Sequence, residues 1–358
     1  MTKRLNNRLF FILIIFMLIS ILLINSSMSF SKIDNLPLKQ LIWYTISFFI
    51  IFIIKYIKPH KYMYLGIYLF NLLLLIIVLF YGDFINGSKC WLTIPKIGSF
   101  QPSEFMKVSL ILLSSQVVDN FYKKNKITFI NEIKLLLLVL LIFIPPTILT
   151  FLEPDTGSIL IYFLIGITIL AISPLRKRWW IIISIIIITI ISVFIYLYSF
   201  NKESFIDIFS EDIFYRINRV LDWKNKSSMQ LENSLIAIGS AGIFGHGYMK
   251  TPIYFPESST DFIFTHLASN FGLIGTIVFI TLLIIFDLTL LNISNTKDNK
   301  LKYITISTLI IILFGQIQNI GMTLGIFPII GIPLPFISYG GSSLLSFSIL
   351  IGIIAKIK

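Results

Sequence analysis

Long uncharged apolar runs alternate with short, polar, mostly basic breaks along nearly the whole 358-residue chain. Runs of the length a bilayer needs, about 20 residues with a range of roughly 17–25, begin near residues 9, 40, 62, 108, 135, 156, 179 and 262. A last uncharged stretch from Tyr303 to Ala355 is too long for one span. Pro328, Pro333 and Pro335 divide it, which predicts two spans joined by an apolar connection with broken helix. The pattern therefore predicts an all-α integral membrane protein of about ten helices. Residues 1–358 form one polytopic domain, and residues 201–260 form its large polar loop. Residues 1–24 begin like a signal peptide, with Lys3, Arg4 and Arg8 ahead of an apolar run. The many spans that follow make an uncleaved first helix the better reading.

Composition agrees with the pattern. The chain is 56% hydrophobic and 13% charged, against about 45–50% and about 25% in soluble domains. That excludes the soluble, disordered and fibrous classes. The net charge of +12 does not point to nucleic acid, because the basic residues sit in short clusters between apolar runs, where they set topology. Lys3, Arg4 and Arg8; Lys55, Lys58 and Lys61; Lys123, Lys124, Lys126 and Lys134; Arg176, Lys177 and Arg178; Lys297, Lys300 and Lys302; and Lys356 and Lys358 all fall on one side, 18 in total. The opposite short loops hold four, Lys32, Lys39, Lys89 and Lys96. A multi-pass protein of the cell membrane with both termini cytoplasmic follows, and loop 201–260 is then external. The single cysteine, Cys90, excludes a disulfide framework or a CxxC metal site.

Ionisable groups at membrane depth are expensive, so each is a candidate for function. Glu104, Glu153, Asp155, Glu257 and Asp261 all fall at or beside predicted external span ends. In Gln101-Pro102-Ser103-Glu104, Pro102 suits the first helical position, and Glu104 suits the positive end of the helix dipole. Lys107, three residues on, shares its face and can pair with it. That pair is as readily structural as functional. In Glu153-Pro154-Asp155-Thr156-Gly157, the two carboxylates can bind a cation, or Asp155 can simply cap the next helix. Pro145-Pro146 upstream predicts a kink. Asp261 precedes a 25-residue uncharged run and can be a helix cap. It also lies beside the external loop with Glu257, Arg216, Arg219, Lys224 and Lys226, a mixture suited to an anionic lipid-linked substrate. The Pro328–Ser343 segment, with its glycines and serines, must line a cavity or be buried in protein. Transporters use broken helices too, so spacing alone is weak evidence there. His60, His246 and His266 form no metal pattern and read as structural, and the five tryptophans read as interface anchors, Trp91 apart.

These motifs, in this order on ten spans, resemble the SEDS family (shape, elongation, division and sporulation proteins, including the RodA, FtsW and SpoVE types) from about residue 40 to the C-terminus. Gln101–Glu104 with Lys107 is similar to QPSE-x-x-K, and Glu153–Gly157 to QPD-x-G. Ile236–Ser240, Pro256-Glu257 and Thr260–Phe264 are similar to IAIGSGG…LPE-x-HTDFIF, and Asn319–Met322 with Gly331–Ser343 to NIGM…GIPLPFISYGGSS. The resemblance implies a peptidoglycan glycosyltransferase that polymerises lipid II and acts with a class B penicillin-binding protein. On it, Asp261 falls on the catalytic Asp. The substrate-binding candidates are Lys89, Trp91, Glu104, Lys107, Asp155, Glu257, Ser338 and Ser342, and a divalent cation such as Mg or Mn is the cofactor to look for. The chain departs from the pattern at Cys90 (usually Arg), Ser259 (His), Ser269 and Asn270 (Glu-Glu) and Ile330 (Thr), and residues 247–256 are shorter than typical. Two other readings remain open: a lipid II flippase or other transporter, and a weakly active scaffold that recruits a transpeptidase. The external clustering of carboxylates favours the enzyme, since a transporter concentrates charge near the midplane. The Asn319–Met322 pattern leans toward the elongation or sporulation types.

Overall fold

A computed structural model describes residues 7–30, 35–54, 56, 57, 59, 60, 62–85, 88–94, 98–209, 214 and 229–356. Arg216, Arg219, Lys224 and Lys226 of the polar loop lie outside the described residues, as do Lys3, Arg4, Lys32, Lys55, Lys58, Lys61, Lys96 and Lys358. Ten helices carry the apolar runs: α1 (Asn7–Ser26), α2 (Leu36–Ile54), α3 (Met63–Tyr81), α4 (Pro102–Lys124), α5 (Phe129–Leu152), α6 (Thr156–Ile172), α7 (Lys177–Phe200), α10 (Ile263–Ser294), α11 (Asn299–Thr323) and α12 (Gly341–Ile354). Among the described residues, two short helices lie between α7 and α10: α8 (Lys202–Phe209) and α9 (Met229–Gly239). Seven of the helices are individually long and apolar enough to cross a membrane, and α6 and α12 are shorter apolar helices. The remaining one, α4, is the polar one: Glu104, Lys107, Ser109, Ser114, Ser115 and Asp119 are all buried. It can afford them because it packs against α3, α5, α6, α11 and α12 rather than facing lipid. At the opposite extreme, α7 buries only Trp179. Its N-terminal end is tied to α5, where Glu132 takes Arg176 and Arg178 at 2.5 and 2.9 Å.

Three features were not predicted by the hydropathy pattern. First, the connection between α3 and α4 folds as an antiparallel sheet of β1 (Asp83–Ile85), β2 (Ser88–Ile94) and β3 (Gly98–Phe100), in that order. Ile85 pairs with Ser88; in the sequence the intervening dipeptide is Asn-Gly, a hairpin signal overshadowed by the flanking apolar spans. Second, α5 runs on across Pro145 and Pro146 to Leu152. Third, α10 extends past the uncharged run to Ser294, and its helical geometry breaks at Gly272 (φ 62°, ψ −156°).

The break in α10 is a close backbone crossing. A Cβ on Gly272 would lie 2.4 Å from the amide nitrogen of Gly245, and one on Gly245 would lie 2.3 Å from the carbonyl oxygen of Asn270. The backbone groups released by the break are taken up there: His246 and Gly247 N–H donate to Ser269 and Asn270 carbonyls at 2.9 and 3.1 Å, and Leu273 N–H donates to Gly242 at 3.1 Å. Only glycine combines a positive φ with this approach. Gly272→Ala should therefore cost at least the strain of about 1–3 kcal/mol plus the clash. Thermal unfolding of the purified variant should show a clear drop, and an unchanged melting temperature would contradict this account.

The predicted irregular connection between the last two spans is present between Thr323 and Gly341. Its carbonyls are satisfied by buried side chains, as unpaired backbone in a membrane interior requires. Ser20 Oγ donates to Ile337 O at 2.7 Å, Gln40 Nε2 to Ser338 O at 3.2 Å and Gln318 Nε2 to Pro328 O at 2.8 Å. The Tyr44 hydroxyl donates to Phe336 O.

Candidate functional site

The site assembles at one end of the helical bundle, where α4 and α6 begin, α5 ends, and the connection into α12 folds inward. The residues of that end line a small cavity: Gln101, Glu104, Lys107, Asp155, Gly157, Ser158, Gly315, Gly331, Pro333, Pro335, Ser343 and Phe347 among them. The cavity holds about 40 Å³, room for a water or two. Glycines bring its walls together: a Cβ on Gly157 would meet Ile332 at 3.2 Å, and one on Gly315 would meet Pro335 at 2.9 Å.

Pro102 occupies the first helical position of α4 with Gln101 as cap residue, which places Glu104 in the first turn. One helical step on, Lys107 Nζ lies 2.6 Å from Glu104 Oε2, with both side chains under 10% exposed. The ammonium also sits over the Phe347 ring at 4.5 Å, and Ser346 Oγ donates to Glu104 Oε2 at 3.3 Å. A pair this buried costs desolvation of both ions and holds only because each is compensated.

Asp155 caps α6: its Oδ1 accepts from Ser158 N–H at 3.0 Å. Its Oδ2 accepts from Gln101 Nε2 (2.9 Å), Ser103 Oγ (2.8 Å) and Ser158 Oγ (2.7 Å). The capping role and the cavity position thus coexist, and the carboxylate is locked by donors from two helices. Ser103 and Ser158 were not singled out from the sequence, although the Asp-x-x-Ser spacing was readable as a cap.

Asp261 is not a cap. The cap residue of α10 is Phe262, and no side-chain capping bond forms. Asp261 is not itself among the residues lining the cavity; its Oδ2 lies 3.6 Å from where a Cβ on Gly331, a lining residue, would stand. Its segment is held from below: Asn319 Nδ2 bridges the carbonyls of Asp261 (2.9 Å) and Ile332 (3.0 Å), which ties the α10 entry to the α11–α12 connection. Thr260 Oγ1 donates to Glu257 Oε2 at 2.8 Å. Burial first, and the Glu257 carboxylate second, push the Asp261 carboxyl up to about 7, which leaves it titrating near neutrality and so suited to a proton-accepting role.

Other candidates take structural places. Ser338 Oγ donates to Thr260 O at 2.6 Å and accepts from Leu334 N–H at 2.9 Å, and Ser342 Oγ accepts from Gln101 N–H at 3.1 Å. Both hydroxyls staple the cavity wall. Lys89 is turned away from the cavity, its ammonium donating to the Leu79 and Phe80 carbonyls at 2.9 and 3.1 Å, where a cation satisfies the end of α3. Trp91 lies on β2 opposite Asp83 and is not among the residues lining the cavity. The Cys90 thiol is pushed up to about 12 by burial, which makes it unreactive. His266 and Asn270 share a buried network in which the Thr251 hydroxyl donates to Asn270 Oδ1 at 2.9 Å and lies 3.0 Å from His266 Nδ1. No three acidic, histidine or cysteine groups gather to hold a metal ion among the described residues. With Asp155 committed to four donors and Glu104 to Lys107, the carboxylates lining the cavity do not fit a divalent site.

Comparison with known proteins agrees with the geometry. The profile of a family described as "Cell cycle protein", FtsW/RodA/SpoVE, matches residues 4–358. "Peptidoglycan glycosyltransferase MrdB" of Helicobacter pylori (strain ATCC 700392 / 26695) is 32% identical over 95% of this chain and 87% of its own length. "Probable peptidoglycan glycosyltransferase FtsW" of Wigglesworthia glossinidia brevipalpis is 34% identical over 97% and 92%. A structure described as "Structural coordination of polymerization and crosslinking by a peptidoglycan synthase complex" superposes with a TM-score of 0.79 at 20% identity, covering 99% of this chain and 97% of the other. At that identity the superposition speaks for the fold, and the profile match across nearly the whole length settles the lineage: the chain belongs to the FtsW/RodA/SpoVE family of membrane proteins.

Proposed function

We propose that this protein polymerises lipid II into glycan strands at the outer face of the cell membrane, with Asp261 as general base. The acceptor sugar's 4-hydroxyl oxygen attacks the donor's anomeric carbon as the bond from that carbon to the diphosphate oxygen breaks. Undecaprenyl pyrophosphate leaves, and the hydroxyl proton passes to Asp261. The observation that carries this reading is the position of Asp261: a carboxylate free of capping duty, against Gly331 on the wall of the cavity built by Glu104, Lys107 and Asp155. The cavity is too small for a disaccharide, so it serves as the polar floor over which the sugars react. Lys107 is the cationic residue in that floor and is the group nearest to hand for developing negative charge on the leaving group.

The test is turnover of lipid II by the purified protein with its cognate class B penicillin-binding protein, followed across pH. A base titrating at about 7 must be ionised to accept the proton, so kcat/KM should fall about tenfold per pH unit below 7. An acid limb near 4, the ordinary carboxylate range, would remove Asp261 from that role. The transpeptidase partnership draws support from the fold's likeness to a chain in a peptidoglycan synthase complex. The elongation or sporulation role rests on the Asn319–Met322 pattern alone, since relatives named MrdB and FtsW match about equally.

Orientation belongs to the same proposal. With the basic short loops inside, the starts of α4, α6, α10 and α12 all face outward, the side on which the site assembles. A reporter fused at Lys358 should read cytoplasmic, and an external reading would invert the scheme.

A further inference from the structure

Behind the Asp155 carboxylate lies a second carboxyl to which the chemistry above assigns nothing. Glu153 ends α5, and its residue surface is fully buried. Neither of its carboxyl oxygens has a hydrogen-bond partner among the described residues. Its neighbour two residues on is the opposite case, an aspartate holding four donated hydrogen bonds. Asp155 lines the cavity and Glu153 lies buried behind it, close enough for the two charges to interact, and all the stabilisation of negative charge has gone to Asp155. An ionised carboxylate without donors or a counter-ion is strongly disfavoured in such a place, so the buried group takes up a proton instead.

We propose that Glu153 sits as a neutral carboxylic acid at working pH, and that this state sets the cavity's affinity for an anionic diphosphate lipid. Glu153 thus acts as a specificity-determining residue through charge, not contact. The proposal rests on the lipid-diphosphate reading of the site. The floor's charges are Glu104 and Lys107, which cancel, and Asp155. Ionising Glu153 would double the net negative charge facing a substrate that is itself negative. The titratable groups placed around it are Asp155 and Tyr162 on α6 and Cys90 on β2, with Glu104 on α4 sharing the surroundings of Tyr162. None is a cation that would favour the ionised form. Burial, and then Asp155, raise the Glu153 carboxyl to about 8. Asp261, pushed up to about 7, is still completing its ionisation at the start of this range in both proteins, and Cys90 ionises above it.

The experiment measures binding of undecaprenyl pyrophosphate to the full-length protein in nanodiscs between pH 7 and 9.5, for wild type and Glu153→Gln. The amide keeps the shape and neutrality of the acid and cannot ionise. Wild-type affinity should fall about tenfold across the range, as expected for a like charge at partial burial. Glu153→Gln should match wild type at pH 7 and lack that fall, apart from any slope belonging to the ligand's own phosphates. A carboxylic-acid carbonyl band in the infrared, present in wild type at pH 7 and absent from the variant, should accompany this and reads the protonation state independently of binding. Equal pH slopes in the two proteins, or a variant already weak at pH 7 while its melting temperature is unchanged, would overturn the proposal. Should Glu153→Gln fail to fold, the wild-type infrared band decides the matter: its absence at pH 7 means an ionised Glu153. No binding by either protein at any pH would instead overturn the underlying substrate reading.

Discussion

Asp261→Asn should abolish measurable glycan polymerisation while leaving the fold and partner binding intact. The exchange is nearly isosteric, and the contacts that hold this segment do not involve the carboxylate: Asn319 Nδ2 binds the Asp261 backbone carbonyl, and Ser338 Oγ binds that of Thr260. What disappears is the basic oxygen. General-base contributions are typically about 10²–10⁴-fold, or about 3–5 kcal/mol of barrier. Had Asp261 been a helix cap, Asn would have served in its place; the cap residue is Phe262 and makes no side-chain bond, so the variant probes chemistry alone. Lipid II polymerisation, assayed with the cognate partner present and alongside a pull-down of that partner, gives the answer. Near-normal glycan chains from the Asn variant would defeat the assignment. An inactive wild type that still binds its partner would favour the scaffold reading.

The second large effect lies at the Glu104–Lys107 pair. Lys107→Met leaves Glu104 charged, buried and without its ammonium, and breaking a buried pair from one side typically costs about 3–5 kcal/mol. The double variant Glu104→Gln with Lys107→Met removes both charges and should recover most of that stability, because two desolvation penalties vanish together. Activity should not return, since the Lys107 ammonium proposed to meet the leaving group is gone. Thermal unfolding of the three proteins in detergent, read beside polymerisation, separates the two roles. A Lys107→Met protein as stable as wild type would show that the pair contributes little to the fold. A double variant with wild-type turnover would show that its charges do not serve the reaction.

Particular residues show how far the sequence reaches. The ten spans were legible because a membrane-crossing helix must satisfy its own backbone and present an apolar surface about 20 residues long. That is a local requirement, written in consecutive residues. The start of α4 was legible for the same reason: Pro102 and Glu104 favour a helix N-terminus, and the three-residue step to Lys107 fixes their shared face. The small sheet between α3 and α4 escaped notice because strands as short as Asp83–Ile85 and Gly98–Phe100 leave little period-2 signal beside long apolar runs. The helix passes through the prolines in α5, and neighbouring helices and local adjustment can absorb the lost hydrogen bonds.

The sequence by itself determined the membrane class, the run of apolar helices and the set of ionisable residues from which a site had to be chosen. Only the tertiary structure decided among them. Asp155 is both cap and cavity wall because Gln101 and Ser103 reach it from another helix. Lys89 is excluded because the β2 strand turns its ammonium onto the end of α3. Asp261 is distinguished from Glu257 because its carboxylate lies beside Gly331, about 70 residues further along the chain, whereas that of Glu257 accepts from the Thr260 hydroxyl. The physical reason is common to all three. Helix formation depends on neighbours within a turn or two, whereas burial, charge compensation and access depend on groups brought together from distant helices, and no pattern within a single span records which of them meet.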